Sequence, residues 1–305
     1  MEKEIYDSII IGGGPAGLTA ALYMSRNNLN VAFIEGKAPG GKMAEQSKIE
    51  NYPGFEKIGG IELSMQMFNQ ARSNGAKFIY GNVKQIINIS DFEKKIILED
   101  QKIIFAKTLV IATGMKNVVP NDIENIEKFN GKGVSYCVLC DGTLFANKPC
   151  AIIGGGNSAI EEASYLSSIA SKVYVFVRDG IHAEKKLVED LKKHENVEIF
   201  LNSKIEKLIG SELLEKIIAN IDGKPKEFEI NGVFPYIGFR PSTDFIDLPN
   251  ILNEKKFVLV NEEMETSIKN IFAIGDVIAK NIRQITTATS DGTIAAKTIS
   301  MRIIK

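Results

Sequence analysis

Short apolar runs that end in small residues set the pattern of this chain. Ser8-Ile9-Ile10-Ile11 is β-rich and stops at Gly12-Gly13-Gly14-Pro15-Ala16-Gly17; Leu18 to Ser25 has helical composition, and Val31 to Glu35 is apolar again up to its last residue. Two such runs flanking a helix-length segment predict a βαβ unit. Leu109-Val110-Ile111-Ala112-Thr113-Gly114 and Ile271-Phe272-Ala273-Ile274-Gly275-Asp276 have the same form of a buried strand entering a small turn. Phe78 to Asp100, Lys204 to Val233 and Lys255 to Val260 alternate apolar and polar residues, which predicts antiparallel strands appended to parallel sheets. Lys185 to His194 reads as a charged helix with Leu187, Val188 and Leu191 as its inner stripe.

The first unit returns without a gap. Cys150 to Val177 lies on Ser8 to Glu35 at an offset of 142 residues, with Gly154, Gly155 and Gly156 on Gly12, Gly13 and Gly14, and Ala159 on Gly17. A repeat of one supersecondary unit implies two dinucleotide sites, one per domain. Glycines there permit a tight turn and close backbone approach to a pyrophosphate on the helix N-terminus, and an acid ending the second strand can accept from a ribose hydroxyl. Glu35 is that acid in the first unit; Val177 takes its place in the second and can neither accept from a 2′-hydroxyl nor hold a 2′-phosphate. Cys150 reads as a small buried hydrophobe.

Breakers at Lys116 to Pro120 and Gly238 to Thr243 mark two crossings between domains. The expected fold class is α/β, with two Rossmann-like dinucleotide-binding domains carrying appended antiparallel strands. Residues 117–242 would be inserted into a first domain made of 1–116 and 243–305. The length of 305 residues fits two domains of ~150 each.

Charge narrows the partners. With 37 basic and 38 acidic residues interspersed, nothing points to nucleic acid or an anionic membrane. Met1-Glu2-Lys3-Glu4 leads directly into a short apolar strand without the longer apolar region of a signal peptide, and no stretch approaches ~18 apolar residues. The expectation is a cytoplasmic protein.

The candidate chemistry is Cys137-Val138-Leu139-Cys140-Asp141-Gly142, almost midway between the two glycine-rich turns. A zinc half-site needs further ligands, and Cys150, His182 and His194 stand at no ligand spacing, so no metal is expected. Two inert core thiols are the other alternative. Gly131, Gly133 and Gly142 read instead as loop or helix start, where a thiolate is stabilised, and favour a redox dithiol. On local grammar alone Asp141 fits an N-cap of the following turn. Val138 and Leu139 are expected to desolvate the thiols.

Several motifs occur together in a particular order: Gly12 to Gly17, Pro39-Gly40-Gly41, Glu50-Asn51-Tyr52-Pro53-Gly54, Ala112-Thr113-Gly114, Gly133-Val134-Ser135-Tyr136-Cys137, Cys140-Asp141-Gly142, Gly275-Asp276, Arg283-Gln284 and Ser290-Asp291-Gly292. In this set the chain resembles the bacterial low-molecular-weight thioredoxin reductases, flavoproteins of the pyridine nucleotide-disulfide oxidoreductase family, over essentially its whole length. The resemblance implies that FAD lies on Gly12, Gly14, Pro15, Ala16, Gly17 and Glu35, with Gly40, Gly41, Asn51 and Val83 alongside. Ala112, Thr113, Gly114, Gly275, Asp276, Arg283 and Gln284 complete that implied site. It implies a nicotinamide nucleotide, NADPH or NADH, on Gly154, Gly156, Asn157, Ser158 and Arg178. Electrons would pass from nicotinamide to flavin, to the Cys137/Cys140 pair and to thioredoxin. Cys140 would face the flavin, Cys137 would attack thioredoxin, and Asp141 would be the acid/base. The resemblance further implies a homodimer and a second domain that rotates on its two linkers.

The chain departs from the family at two places: Val138-Leu139 stand inside the dithiol where the family usually has Ala-Thr, and the 2′-phosphate clamp is altered. Paired arginines in His-Arg-Arg-x-x-x-Arg hold the 2′-phosphate of NADPH there, whereas this sequence reads Val177-Arg178-Asp179-Gly180-Ile181-His182-Ala183. Arg178 alone offers a bidentate fork and Asp179 repels phosphate, so weak discrimination between NADPH and NADH is expected. A pyridine-nucleotide-independent relative, such as a ferredoxin-dependent thioredoxin reductase or a flavin dithiol oxidase, is the alternative enzyme. The intact Gly154 to Ala159 turn argues against it. A flavin-binding sensor without turnover is a third reading, and Cys137, Cys140 and Asp141 argue against that.

Overall fold

The computed structural model describes residues 5–46 and 48–304, so Met1 to Glu4 lie outside the described residues. The chain divides into two compact domains. The first comprises Met1–Lys116 and Arg240–Lys305, and the second is the insertion Asn117–Phe239.

The first domain begins with β1 (Ile5–Ile11), α1 (Pro15–Arg26), β2 (Val31–Glu35), α2 (Gly60–Ser73) and β3 (Lys77–Tyr80). There follow β4 (Val83–Ser90), β5 (Glu93–Leu98), β6 (Ile103–Ile111) and the short β7 (Met115–Asn117). β1, β2 and β3 are parallel, and β6 joins β1 in parallel while its other edge takes the antiparallel hairpin β4–β5. Alternate residues of β1 and β2 enter two separate cores: Ile10 and Phe33 on one face, Ile9, Ile11, Ala32 and Ile34 on the other. That two-sided burial explains why these strands are apolar throughout and do not alternate. Phe33, Phe68 and Phe78 fill one core with ring centroids 5.4 to 5.7 Å apart.

The second domain begins with α3 (Val138–Asp141), β8 (Pro149–Ile153), α4 (Asn157–Ser167), β9 (Lys172–Phe176), α5 (Lys185–Leu191) and β10 (Val197–Phe200). An antiparallel sheet of β11 (Ser203–Ile209), β12 (Lys216–Ile221) and β13 (Lys224–Glu229) precedes β14 (Gly232–Pro235) and β15 (Phe239–Pro241). Strands β10, β9, β8 and β14 form a parallel sheet in that order, matching β3, β2, β1 and β6 of the first domain. The chain then returns to the first domain, where β16 (Ile271–Ala273) pairs with β6 and α6 (Ile285–Ile303) closes the fold.

Backbone hydrogen bonds show how far the repeat extends. Gly12 N donates to Ile34 O at 2.8 Å and Gly154 N to Phe176 O at 3.0 Å; Gly40 N donates to Gly13 O at 2.8 Å and His182 N to Gly155 O at 2.7 Å. Each pair keeps the 142-residue offset, so the two turns are superimposable as far as Gly40 and His182.

Three expected strands are corrected. Phe78 to Tyr80 belongs to β3, which runs parallel to β2, and Val233 belongs to β14, which runs parallel to β8, so the antiparallel stretches are shorter than expected. Lys255 to Val260 is not a strand. Lys256 turns the chain with φ 65°, Phe257 N donates to Asn253 Oδ1 at 2.9 Å, and only isolated bridges join Leu252 to Val258 and Val258 to Ile278.

Candidate active site

In the first domain the turn after β1 is shaped by one close approach. Gly12 has φ 115°, and a Cβ there would stand 2.3 Å from Ala112 O, so only glycine brings β1 against the end of β6. Gly14 precedes α1, whose first turn lacks a side-chain cap, and Pro15 occupies its first position. The first-turn amides thus have no side-chain partner from the cap, as an anion site at a helix start requires. Glu35 ends β2, and its carboxylate accepts from Gly13 N at 3.0 Å and Lys37 N at 2.9 Å. It is held in place by the glycine turn itself, with further lone pairs left on both oxygens.

Residues far apart in sequence meet around this turn. Asn51 Nδ2 donates to Gln284 Oε1 at 3.2 Å, and Gln284 caps α6 in a reciprocal pair with Thr287. Thr113 Oγ donates to Ser242 O at 2.7 Å, and Asp291 Oδ2 accepts from Gly275 N at 3.0 Å and from Lys280 Nζ at 2.7 Å. Gly41 begins a single 3-10 turn that ends at Met43, and Val83 starts β4 opposite Leu98. Burial pushes the Asp276 carboxyl up and the Lys42 amine down. Asp276 Oδ1 and Arg283 Nε are buried without a hydrogen-bond partner among the described residues. Buried polar atoms left unsatisfied call for a group from outside the chain. The capless helix start and this acceptor–donor pair fit a phosphate- and hydroxyl-bearing cofactor, which is what FAD presents.

In the second domain Gly154 repeats Gly12: its φ is 138°, and a Cβ there would stand 2.3 Å from Tyr236 O. Gly156, Asn157 and Ser158 are exposed at the start of α4, again without a side-chain cap. Asn157 is engaged laterally, accepting from Glu184 N at 2.9 Å. Val177 is 1% exposed, and its Cγ1 would lie 2.8 Å from a Cβ on Gly155, the place where Glu35 faces Gly13. Arg178 Nε donates to Asp179 Oδ2 at 2.8 Å, and both side chains are well exposed.

Cys137 and Cys140 are joined in a disulfide that spans α3, a single turn of helix. Cys137 is its N-cap, and its Sγ accepts from Cys140 N at 3.1 Å. Asp141 stands at the N-cap of the following 3-10 turn without a side-chain capping bond; its Oδ2 instead accepts from Ser135 Oγ at 2.6 Å. Ser135 Oγ also accepts from Cys137 N at 3.2 Å, and Tyr236 OH accepts from Val138 N at 3.1 Å. The expected desolvation by Val138 is corrected: its side chain is fully buried in the core beside Ile152 and Leu166, turned inward, while Cys140 is exposed. Cys150 is fully buried, and burial pushes its thiol up to about 12.

Two residues of this site escaped sequence reasoning. Ser135 lies within a motif but two positions before the first cysteine, a spacing that carries no rule. Tyr236 directly follows β14, 96 residues beyond Cys140, and only the fold brings it to the dithiol turn.

Comparison with known proteins agrees with this geometry. Residues 6–292 match the family described as pyridine nucleotide-disulphide oxidoreductase. The chain is 50% identical to a thioredoxin reductase of Mycoplasmopsis pulmonis (strain UAB CTIP), over 100% of this chain and 99% of that protein. It is 41% identical to the thioredoxin reductase of Bacillus subtilis (strain 168), over 98% of this chain and 95% of that one. Among solved structures, Lactococcus lactis thioredoxin reductase in its FR conformation matches with a TM-score of 0.90 at 36% identity, covering 98% of this chain and 99% of that one. With two dinucleotide-type turns and a dithiol in one chain, and relatives aligned along its whole length, the chain belongs to the pyridine nucleotide-disulphide oxidoreductase family.

Proposed function

We propose that the chain is an FAD-dependent thioredoxin reductase, in which NAD(P)H, a proton and a thioredoxin disulfide yield NAD(P)⁺ and dithiol thioredoxin. The observation that carries this reading is the Cys137–Cys140 disulfide, set on a one-turn helix in the domain that also holds the second glycine-rich turn. The first domain is read as the FAD domain and the second as the nicotinamide-nucleotide domain. The protein is read as a cytoplasmic homodimer. Among the described residues no helix is long and apolar enough to cross a membrane.

FAD, when bound, supplies the two-electron carrier between a nicotinamide and a disulfide. The chain contributes the rest. Gly14 to Gly17 offer the start of α1 to the pyrophosphate, and Glu35 offers remaining lone pairs to a ribose hydroxyl. Asp276 and Arg283 offer their unsatisfied atoms to the cofactor's polar groups. Opening the disulfide leaves Cys137 sulfur as the N-cap, facing Cys140 N, so negative charge is favoured on Cys137 over Cys140. That makes Cys137 the nucleophile toward thioredoxin and Cys140 the sulfur that exchanges electrons with the flavin. Asp141, adjacent to Cys140, is positioned in the chain to take and return its proton.

The second reading is a pyridine-nucleotide-independent reductase fed by ferredoxin. The complete turn from Gly154 to Ala159, open at the start of α4, favours the nucleotide. Anaerobic mixing of the flavin-loaded protein with NADPH, NADH or reduced ferredoxin separates the two. Flavin bleaching by a nicotinamide, followed by thioredoxin reduction, is the expected result; bleaching by ferredoxin alone would overturn it.

A further inference from the structure

We propose that Ser135 is a positioning residue that clamps the dithiol turn, holding its first amide and its closing carboxylate with one hydroxyl. The proposal rests on the reading of Cys137, Cys140 and Asp141 given above, and it concerns a residue outside that trio.

Ser135 belongs to the scaffold, while the cysteines belong to a turn. Its backbone N donates to Val233 O at 3.0 Å, and neighbouring Val134 bridges to Val233, so this segment runs along the edge of β14. Gly133 makes that course possible: its φ is 131°, and a Cβ there would stand 2.3 Å from Leu214 Cβ. The Ser135 side chain, 9% exposed, accepts from Cys137 N at 3.2 Å and donates to Asp141 Oδ2 at 2.6 Å. The hydroxyl thus uses a lone pair at the start of α3 and its single proton at the end, where the bond to Asp141 is far shorter than the 3.5 Å contact to Cys137 O.

The consequence concerns the reduced state. With the disulfide closed, the covalent ring itself keeps Cys137 and Cys140 in register. When the ring opens, a single turn of helix has too few internal hydrogen bonds to hold its own shape. Ser135 then ties the turn to β14 at both ends and keeps the Asp141 carboxylate from swinging into solvent. A short bond to an acid is stronger than a neutral pair, so the carboxylate arm of the clamp carries most of the constraint.

The test is a double-mutant cycle on the flavin-loaded protein, built from Ser135→Ala, Asp141→Ala and their combination. Two readouts are taken: steady-state reduction of a bacterial thioredoxin disulfide, and the rate at which oxidised dithiothreitol re-forms Cys137–Cys140 in the reduced protein. The second needs neither flavin nor a nicotinamide, so it reports on Ser135 even if the functional reading fails. Ser135→Ala is expected to lower kcat at least tenfold with KM for thioredoxin within twofold, and to slow dithiothreitol exchange. In the Asp141→Ala background, which has no acceptor for the hydroxyl, the same change should alter either rate less than twofold, because Ser135 acts mainly through Asp141. Ser135→Thr, which keeps the hydroxyl, should stay within threefold of the parent. Effects that multiply in the cycle, or a threonine variant as slow as alanine, would overturn the clamp. A parent protein inactive with thioredoxin but showing the non-additive pattern with dithiothreitol would remove the functional reading and leave the clamp standing.

Discussion

Gly13 N donates to Glu35 Oε2 at 3.0 Å in the first domain, whereas in the second Gly155 faces the isopropyl group of Val177. The two turns share their backbone and differ in whether the end of the second strand can read a sugar. The first prediction follows from that contrast. Flavin reduction by NADPH and NADH should proceed with kcat/KM values within about tenfold of each other. Restoring the missing arginine after Arg178 together with His182→Arg should shift the ratio toward NADPH by one to two orders of magnitude, since each charge-assisted bond to a phosphate contributes roughly 1.5 to 3 kcal/mol before reorganisation. Strong NADPH preference in the unmodified protein would show that the phosphate is held elsewhere.

Glu35→Ala should loosen FAD. The substitution removes any bond to ribose and leaves Gly13 N and Lys37 N without their acceptor, so retention should fall by about 1 to 3 kcal/mol. Dialysis against guanidinium-free buffer, with the released flavin measured by fluorescence, gives the dissociation constant. Unchanged retention would place the adenosine away from β2.

Thiol counting checks the redox pair. The denatured oxidised protein should show one thiol, Cys150, and the reduced protein three. Cys137→Ser and Cys140→Ser should each retain flavin and lose thioredoxin reduction; wild-type turnover by Cys140→Ser would refute the relay.

Lys94 predicts a pH effect on stability. It is fully buried, its Nζ donates to Ser90 O at 2.6 Å and Asp91 O at 2.9 Å, and burial lowers its amine from 10.5 to about 8. Between about pH 8 and 10.5 the unfolded chain therefore binds more protons at this site, and its contribution to stability rises with pH across that window. Urea midpoints of the parent and Lys94→Met, compared between pH 8 and 10, should diverge accordingly, and parallel curves would reject the assignment.

Sequence carried the parts of the fold whose cause is local. The glycine turn, the helix behind it and the acid at the end of β2 obey short-range geometry, and a gapless repeat doubled the signal. Lys255 to Val260 failed because a turn at Lys256 interrupts it, leaving Val258 alone to bridge both Leu252 and Ile278. Val138 failed for a related reason: the helical turn, invisible as four residues, decides which way the side chain faces. The meeting of Asn51 with Gln284 across 233 positions, and of Tyr236 with Val138, has no local cause to read.

Cys150 gives the second domain a third sulfur, and its burial has a kinetic meaning. With its thiol pushed up to about 12 and shut inside the sheet, it cannot trade places with either member of the pair. A protein partner caught on Cys137 can then be released from within the chain by one group alone, the neighbouring Cys140. Scrambled pairings are closed off by the packing, so loss of Cys140 should turn the catalyst into a trap that keeps its partner covalently attached.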